Sequence, residues 1–341
     1  MGGAAGIKDV ARAAGVSVGT VSNVINRPEL VGEETRARVR AAIDLLGYVR
    51  SESARQLRSG SSRIIGLLVL DLGNPFFVSV ARGAESAARA EGLRVMVCNS
   101  AQRLADEADY LALFAEQRVR GVLLTPADTA GSGAAALRRG GVPFVLVDRL
   151  AQGVEACSVS VDDVRGGSLA VAHLLTGGHR RIAFAGGHHP LQQVADRRSG
   201  ARAALAGSGA ELADLEVDGL DVAAGRDAGA RLLGMQPRPT AVFCANDLLA
   251  LGMLQAAFAA GLRVPEDLAI VGYDDIEFAA AAAVPLTSVR QPAEAMGRTA
   301  VEMLAQETGP NAAAHRHRQV VFEPELVVRR STLRVSATPA Q

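Results

Sequence analysis

The sequence has no Trp, three Tyr and nine Phe among 341 residues, so no indole is available to stack on a sugar ring or a purine. It has three Cys, at positions 98, 157 and 244, too few and too far apart for a disulfide framework. Cys98 and Cys244 end apolar runs, and all three read as buried thiols of a reducing compartment. No apolar run reaches eighteen residues and no charged-then-apolar leader is visible, which speaks against a membrane span or export. The expectation is a cytoplasmic protein with no membrane partner. Net charge is also lacking, with 36 basic residues against 36 acidic ones, and Lys8 is the only Lys.

That zero hides an asymmetry. Residues 1–63 hold one Lys and nine Arg against six acids, a net of +4, and the remaining 278 residues carry the compensating −4. Positive charge in a small module favours contact with phosphates. The same stretch carries a helical pattern. Ile7, Val10 and Ala11 share one helix face, Gly15 is a stop, and Ser17 is an N-cap. Val21, Val24 and Ile25 repeat the spacing, leaving Thr20, Ser22, Asn23 and Asn26 on the opposite face. Two short helices around a tight turn read as a helix-turn-helix whose second helix enters the DNA major groove. Glu33 to Leu46 adds a third helix, with Val39, Ala42, Ile43 and Leu46 facing the core and Gly47 ending it. This module is assigned to residues 1–49.

Residues 50–62 are polar and include Arg50, Arg55 and Arg58. Ser51 can cap a short helix running to about Arg58, and Ser59 to Ser62 read as a joint. Leu57 is its only large apolar residue. It fits a wedge for a minor-groove base step, or an incidental residue in a linker.

From Arg63 the pattern changes. Apolar runs at Ile64–Leu70, Arg94–Cys98, Gly121–Leu124, Pro143–Val147, Arg181–Ala185, Ala241–Cys244 and Leu268–Val271 alternate with Ala-rich helical segments. This is the signature of an α/β fold with parallel sheets. About 280 residues exceed one comfortable core, so two lobes are expected, with ligands between them at the carboxyl ends of the strands. Polar groups follow those ends. They include Asp71 and Asn74 with Phe76 and Phe77 beyond, then Asn99, Ser100, Thr125, Asp148, Arg149, Asn246, Asp247, Tyr273, Asp274 and Asp275. Carboxylates, amides and Arg converging on a cleft suit a hydroxyl-rich ligand. Asp and Asn also cap loops, so each residue taken singly is open to either reading.

Two further patterns carry less. Gly131-Ser-Gly133-Ala-Ala-Ala136 loosely fits a dinucleotide fingerprint, but Pro126 to Ala130 intervene before the glycines and the next acid is Asp148. His188-His189 and His315-x-His317 have no Cys or acidic partner at metal spacing, so they read as surface loops, with no metal and no cofactor expected.

The order and spacing of motifs make the whole chain resemble the lactose-repressor/galactose-repressor family of bacterial regulators. The resemblance rests on Ile7-Lys-Asp-Val-Ala11, Gly15-Val-Ser17, Thr20-Val-Ser22, Asn26, Leu46-Gly-Tyr48, Ala54-Arg55 and Leu57-Arg58. It continues through Asn74-Pro-Phe-Phe77, Val147-Asp-Arg149, Gly177 to Ile182, Asn246-Asp247 and Val271 to Asp275. The resemblance implies an amino-terminal helix-turn-helix, a hinge helix at 50–62, and a two-lobed core like periplasmic sugar-binding proteins. The core spans 63–335, divided roughly into 63–161 plus 292–321 and 162–291 plus 322–335. It implies a homodimer on a near-palindromic DNA operator, and a repressor of carbohydrate-utilisation genes whose affinity changes when a sugar-like effector enters the cleft.

By the same resemblance, Val18, Gly19 and Asn23 stand where bases are read, Thr20 and Ser22 where phosphates are met, and Leu57 where the hinge wedge lies. Phe76, Asp148, Arg197, Asn246, Asp274 and Gln291 match effector positions, and Leu220 stands where many relatives place an aromatic. Arg197 precedes Gly200 in the family's Arg-x-x-Gly arrangement. Val18 and Gly19 offer no side-chain hydrogen bond, so direct readout rests on Asn23. Arg50-Ser51 replaces the common Pro-Asn, and no leucine heptad follows the core, which favours a dimer over a tetramer. The rival readings are a sugar-binding protein or an NAD-dependent enzyme using the α/β core, neither of which accounts for residues 7–58.

Overall fold

The computed structural model describes residues 5–48, 62–128, 131–187 and 191–333. Contacts divide the chain into two units, Met1–Ser62 and Arg63–Gln341. In the first, α1 (Ile7–Ala14) stops at Gly15, whose φ of 63° lies in the left-handed region that glycine enters without strain. Ser17 then accepts a hydrogen bond from Thr20 N at 3.0 Å and starts α2 (Val18–Asn26). A 3-10 turn at Pro28–Leu30 leads into α3 (Glu33–Leu46). Val10, Val21 and Val39, one from each helix, are wholly enclosed, and Ile7, Ile25, Ile43, Leu46 and Tyr48 pack around that centre. The spacing of apolar residues therefore delivers the three faces the sequence predicts. The hinge reading, with Ser51, Arg55, Leu57 and Arg58, lies outside the described residues.

The second unit opens with β1 (Ile64–Val69), α4 (Pro75–Ala90), β2 (Arg94–Asn99), α5 (Leu104–Glu116), β3 (Gly121–Leu124), α6 (Ser132–Arg139), β4 (Phe144–Val147) and β5 (Cys157–Val161). It continues with α7 (Asp163–Thr176), β6 (Arg181–Ala185), α8 (Gln192–Leu205), β7 (Glu211–Leu215), α9 (Val222–Leu233), β8 (Ala241–Cys244), α10 (Asp247–Ala259), β9 (Ala269–Asp274), α11 (Glu277–Ala281) and β10 (Thr287–Arg290). The chain ends with α12 (Ala293–Thr308), a 3-10 turn at Ala312–Ala314, β11 (Gln319–Phe322) and β12 (Glu325–Val327). The strands form two six-stranded sheets, ordered β11-β5-β4-β3-β1-β2 and β12-β10-β9-β8-β6-β7. The chain passes between the lobes after β5, after β10 and between β11 and β12.

Seven strands match the apolar runs. The other five lack such a run for physical reasons. β5 alternates Ser158 and Ser160 with apolar residues, and both serines are buried. β7 and β11 are half-buried edge strands, β10 is short and polar, and β12 has three residues. The expectation of parallel sheets holds with one correction: β12 runs antiparallel to β10. The expectation of three buried thiols also needs correction, since Cys98 on edge strand β2 is only half-buried, while Cys157 and Cys244 are buried.

Close helix crossings set the geometry of the core. A Cβ on Gly200 would lie 1.8 Å from Val164 O, and one on Gly167 would lie 1.9 Å from Arg197 O. Two glycines thus let α7 and α8 touch backbone to backbone. The same device joins α4 to α12 through Gly83 and Gly297.

Candidate functional site

The first unit presents the exposed face of α2. Val18, Gly19, Asn23 and Asn26 are exposed, and Thr20 and Ser22 are half-exposed. Thr20 Oγ1 lies 2.9 Å from Ser17 Oγ. Asn26 donates to Ser22 O at 2.7 Å and to Ser22 Oγ at 3.2 Å, which fixes both side chains. Lys8, Arg27, Arg38 and Arg40 are exposed on the same small unit. The exposed acids Glu29, Glu33 and Glu34 share that unit, so what the described residues present is an α2 face of small polar side chains among charges of both signs.

In the second unit the strand ends build a cavity between the lobes. It encloses about 460 Å3 of atom-free space, part of it open to solvent. From the first lobe, Asp71 and Asn74 follow β1, Phe76 and Phe77 open α4 with ring centroids 5.0 Å apart, and Asp148 follows β4. From the second, Arg197 comes from α8, Leu220 precedes α9, Asn246 caps α10 and Asp274 ends β9. Gln291 joins them from the crossover between β10 and α12. Ten of the residues named from the sequence line this one cavity, and the remaining strand-end residues do not.

Their partners are largely one another. Asn74 uses Oδ1 to accept from Phe76 N at 3.0 Å and donates Nδ2 across the cleft to Asp274 Oδ2 at 2.9 Å. Gln291 Nε2 donates to Asp274 Oδ1 at 2.7 Å. A second bridge between the lobes comes from Gln193 Nε2, which donates to Asp148 O at 2.8 Å and to Asp148 Oδ2 at 2.9 Å. Asn246 accepts from Leu249 N and donates to Leu220 O at 2.8 Å, so it fixes the loop that carries Leu220. Three buried oxygens at the cavity, Asp148 Oδ1, Gln193 Oε1 and Gln291 Oε1, have no hydrogen-bond partner among the described residues. Unpartnered buried oxygens are costly and mark places where a ligand can bind.

Arg197 organises the second lobe's side. Its Nε donates to Asp163 Oδ1 at 2.8 Å, its Nη1 donates to Ala245 O at 2.7 Å, and its Cζ stacks 3.7 Å from the Tyr273 ring centroid. Asp274 Oδ1 lies 3.9 Å from Nη1. Burial works against this guanidinium, but Asp163, Tyr273, Asp274 and Asp148 outweigh it and secure its charge. Asp274 is pushed above the usual carboxylate range by burial, against the pull of Arg197 and the Asn74 and Gln291 amides. The backbone is constrained here as well: Gln102, Asp148 and Asp274 all line the cavity with φ of 60°, 58° and 103°. Non-glycine residues rarely occupy that region, and they concentrate at ligand sites.

Burial, reinforced by Asp163 and Asp274, pushes Asp148 up to about 8 despite Arg197 and Gln193. Its carboxyl therefore keeps a proton in the folded chain that it loses near pH 4 when unfolded. The stability from this group is complete below the unfolded value and disappears as pH rises through about 8. The expected result for Asp148→Asn is a flatter loss of stability between pH 5 and 8 in denaturant titrations, roughly one proton's worth of slope less than wild type. An unchanged slope assigns the titration to another group.

Sequence reasoning missed Gln193 and Gln102 in the cavity wall, and Asp163 behind it. Gln193 stands four residues before Arg197, on the same face of α8, so helical spacing contains the signal. Asp163 starts α7 just after β5, the strand that carries no apolar run. Several other strand-end residues are not brought to the cavity. Ser100 donates to Val69 O at 3.2 Å, Arg149 donates to Asp128 O at 2.9 Å, and Asp275 pairs with Arg290 and Arg329. Asp247 is fully buried, accepting from Ser288 Oγ at 2.7 Å and Ile276 N at 2.9 Å. These residues hold the framework.

Residues 6–51 match bacterial regulatory proteins of the lacI family, and residues 171–332 match the periplasmic binding protein-like domain. The HTH-type transcriptional repressor PurR of Photobacterium profundum is 36% identical over 330 residues, covering 95% of this chain and 98% of the relative. The PurR of Vibrio campbellii is 35% identical, covering 97% and 99%. The chain belongs to the LacI family of bacterial transcription regulators.

Solved structures agree. The lac repressor dimer bound to operator and the anti-inducer ONPF superposes with a TM-score of 0.81 at 28% identity, covering 97% of this chain and 100% of that one. The transcriptional regulator CelR in complex with cellobiose is 32% identical with a TM-score of 0.72, covering 96% and 99%. As a LacI-family member, the chain is a DNA-binding transcriptional repressor and not an enzyme. The local structure explains why Gly131 to Ala136 is no dinucleotide loop. Asp128 accepts from Gly131 N at 2.9 Å and Ser132 Oγ at 2.6 Å, so a carboxylate occupies the helix N-terminus that a pyrophosphate needs. Among the described residues no helix is long and apolar enough to cross a membrane.

One loop reading is corrected by the fold. His315 and His317 have no Cys or acid at metal spacing in sequence, yet Cys157 and Glu307 stand beside them in the structure. His188 and His189 lie outside the described residues.

Proposed function

We propose that this repressor is controlled by a small, neutral, hydroxyl-rich molecule, a sugar or close derivative, bound in the cavity between the lobes. The observation that carries this reading is the set of three unpartnered buried oxygens on Asp148, Gln193 and Gln291, set among groups that otherwise bind each other across the cleft. Ligand hydroxyls can donate to the Gln193 and Gln291 oxygens, exchange a hydrogen bond with the Asp148 carboxyl, and replace the Asn74–Asp274 and Gln193–Asp148 bridges. Such an exchange alters how firmly the lobes are held together, which gives the effector a differential grip on two lobe arrangements. An anion gains from Arg197 but meets Asp274 and Asp163. Phe76 and Phe77 supply the aromatic part of the wall, and Leu220 adds an aliphatic side chain and no ring. The CelR–cellobiose complex and a LacI-family regulator of Enterococcus faecium with bound ribose, 30% identical with a TM-score of 0.72, favour the sugar class. Isothermal titration of the full chain against sugars, nucleosides and nucleobases tests it. A nucleobase that binds while every sugar fails overturns the assignment.

The operator side of the proposal places Val18, Gly19 and Asn23 at bases, Thr20 and Ser22 at phosphates, Asn26 beside them and Leu57 at the hinge wedge. The chain acts as a homodimer in the bacterial cytoplasm, one α2 per half-site, with exposed Phe258 and Phe278 available to self-association. Asn23→Ala is expected to lose about 1–3 kcal/mol of operator affinity by removing a bidentate adenine contact. Thr20→Ala weakens all sequences more evenly, because phosphates carry no sequence information. Gel shifts on operator and scrambled DNA separate the two; an Asn23 variant with wild-type discrimination removes that residue from base reading. Leu57→Ser is expected to weaken operator binding while leaving the melting midpoint of the core unchanged, as read by calorimetry. A shifted core midpoint assigns Leu57 to packing instead.

A further inference from the structure

We propose that Cys157, Glu307, His315 and His317 bind one divalent cation of the zinc class, at a site separate from the effector cleft. Four elements bring the donors together. Cys157 begins β5, Glu307 lies in the last turn of α12, and the 3-10 turn at Ala312–Ala314 folds the chain back so that His315 and His317 precede β11. The strand register pairs Gln319 with Ser158, which sets His317 near the start of β5. One donor atom from each of the four residues lies within 4.8 Å of every other. Cys157 Sγ and His315 Nε2 are 3.3 Å apart. Tetrahedral zinc, with arms of about 2.3 Å to sulfur and about 2.0 Å to nitrogen, needs close to that separation. The rest requires shifts of about an ångström, and His317, being exposed, is free to make one.

The chemistry of the four donors agrees. Glu307 Oε2 is buried without a hydrogen-bond partner among the described residues, as a carboxylate awaiting a cation would be. One thiolate and one carboxylate balance the charge of a divalent ion, and two imidazoles complete a set of soft and borderline donors that selects zinc over calcium or magnesium. The site lies at the amino-terminal start of β5, whereas the effector residues follow the carboxyl ends of the strands. It therefore clamps α12, β5 and the returning β11 at the opposite edge of the first lobe.

The test uses the untagged full chain, stripped of metal with a chelator under a phosphine reductant and titrated with Co2+ and then Zn2+. The expected result is a thiolate-to-cobalt charge-transfer band that saturates at about one equivalent and is bleached by zinc, with a higher melting midpoint in zinc. Cys157→Ser is expected to abolish the band, and His317→Ala, at an exposed position, to weaken binding at least tenfold while the chain stays folded. The double variant His188→Ala/His189→Ala keeps the wild-type band. Absence of the band in wild type, unchanged affinity in His317→Ala, or a band that survives Cys157→Ser overturns the proposal.

Discussion

Arg197→Ala is expected to destabilise the core by about 3–5 kcal/mol and to abolish the effector response, the largest effect of any single substitution at the cleft. The reason is the charge left behind. Asp163 and Asp274 are buried, and Arg197 is the cation that reaches both, at 2.8 and 3.9 Å. Deleting it also leaves the Ala245 carbonyl without its donor and the Tyr273 ring without its stacked guanidinium. Asp274 loses the cation that opposes its upward shift, so the deficit grows as pH rises. Urea titrations at pH 6 and 8 read both the size and the trend. Arg197→Lys recovers little, because an ammonium cannot reproduce the fork and the stack together. The double variant Asp163→Asn/Arg197→Ala regains part of the loss by removing one uncompensated charge. Equal stability of the single and double variants would mean that the ion pair is not the source. Operator binding, measured below the variant's melting temperature, persists, since the helix-turn-helix belongs to the other contact unit.

Gly200→Ala is expected to cost about 3 kcal/mol, an unusually high value for adding one methyl group. The new Cβ would sit 1.8 Å from Val164 O, and neither backbone can yield without separating α7 from α8. That separation also moves Arg197 away from Asp163, since the two residues ride on those helices. The effector response is therefore lost together with the stability. Ser199→Ala, on the exposed side of the same helix, is the control and stays within about 0.5 kcal/mol of wild type. Gly200→Ala melting with the wild-type midpoint would show that the crossing is looser than its geometry indicates.

Much of this molecule is legible in the sequence because local rules govern it. The three amino-terminal helices follow from apolar spacing, from Ser17 as a cap and from Gly15 and Gly47 as stops, all effective within a few residues. The buried central strands announce themselves as apolar runs because both of their faces are covered. Asp71, Asn74, Asp148, Asn246 and Asp274 stand at or just past the ends of those strands, so the strand pattern locates them, and the family resemblance adds Arg197, Leu220 and Gln291. Edge and polar strands lose that signal: Ser158 and Ser160 are buried in β5 without changing the look of the segment, and with β5 goes Asp163, the partner that explains Arg197.

By itself the sequence determined the helix-turn-helix, the alternating α/β order, the positive amino-terminal module and ten of the residues that line the cleft. Each of these is set by periodicity, caps, composition or the order of motifs along the chain. Only the tertiary structure decided what those residues do to each other. Asn74 reaches Asp274 across 200 positions, and Gln193 reaches Asp148 across 45. Cys157 meets His315 across 158. Such encounters arise from sheet order, from chain crossings between lobes and from helices brought backbone to backbone at glycines. None of these leaves a local trace, because the distance between two side chains in space is fixed by packing and not by their separation along the chain.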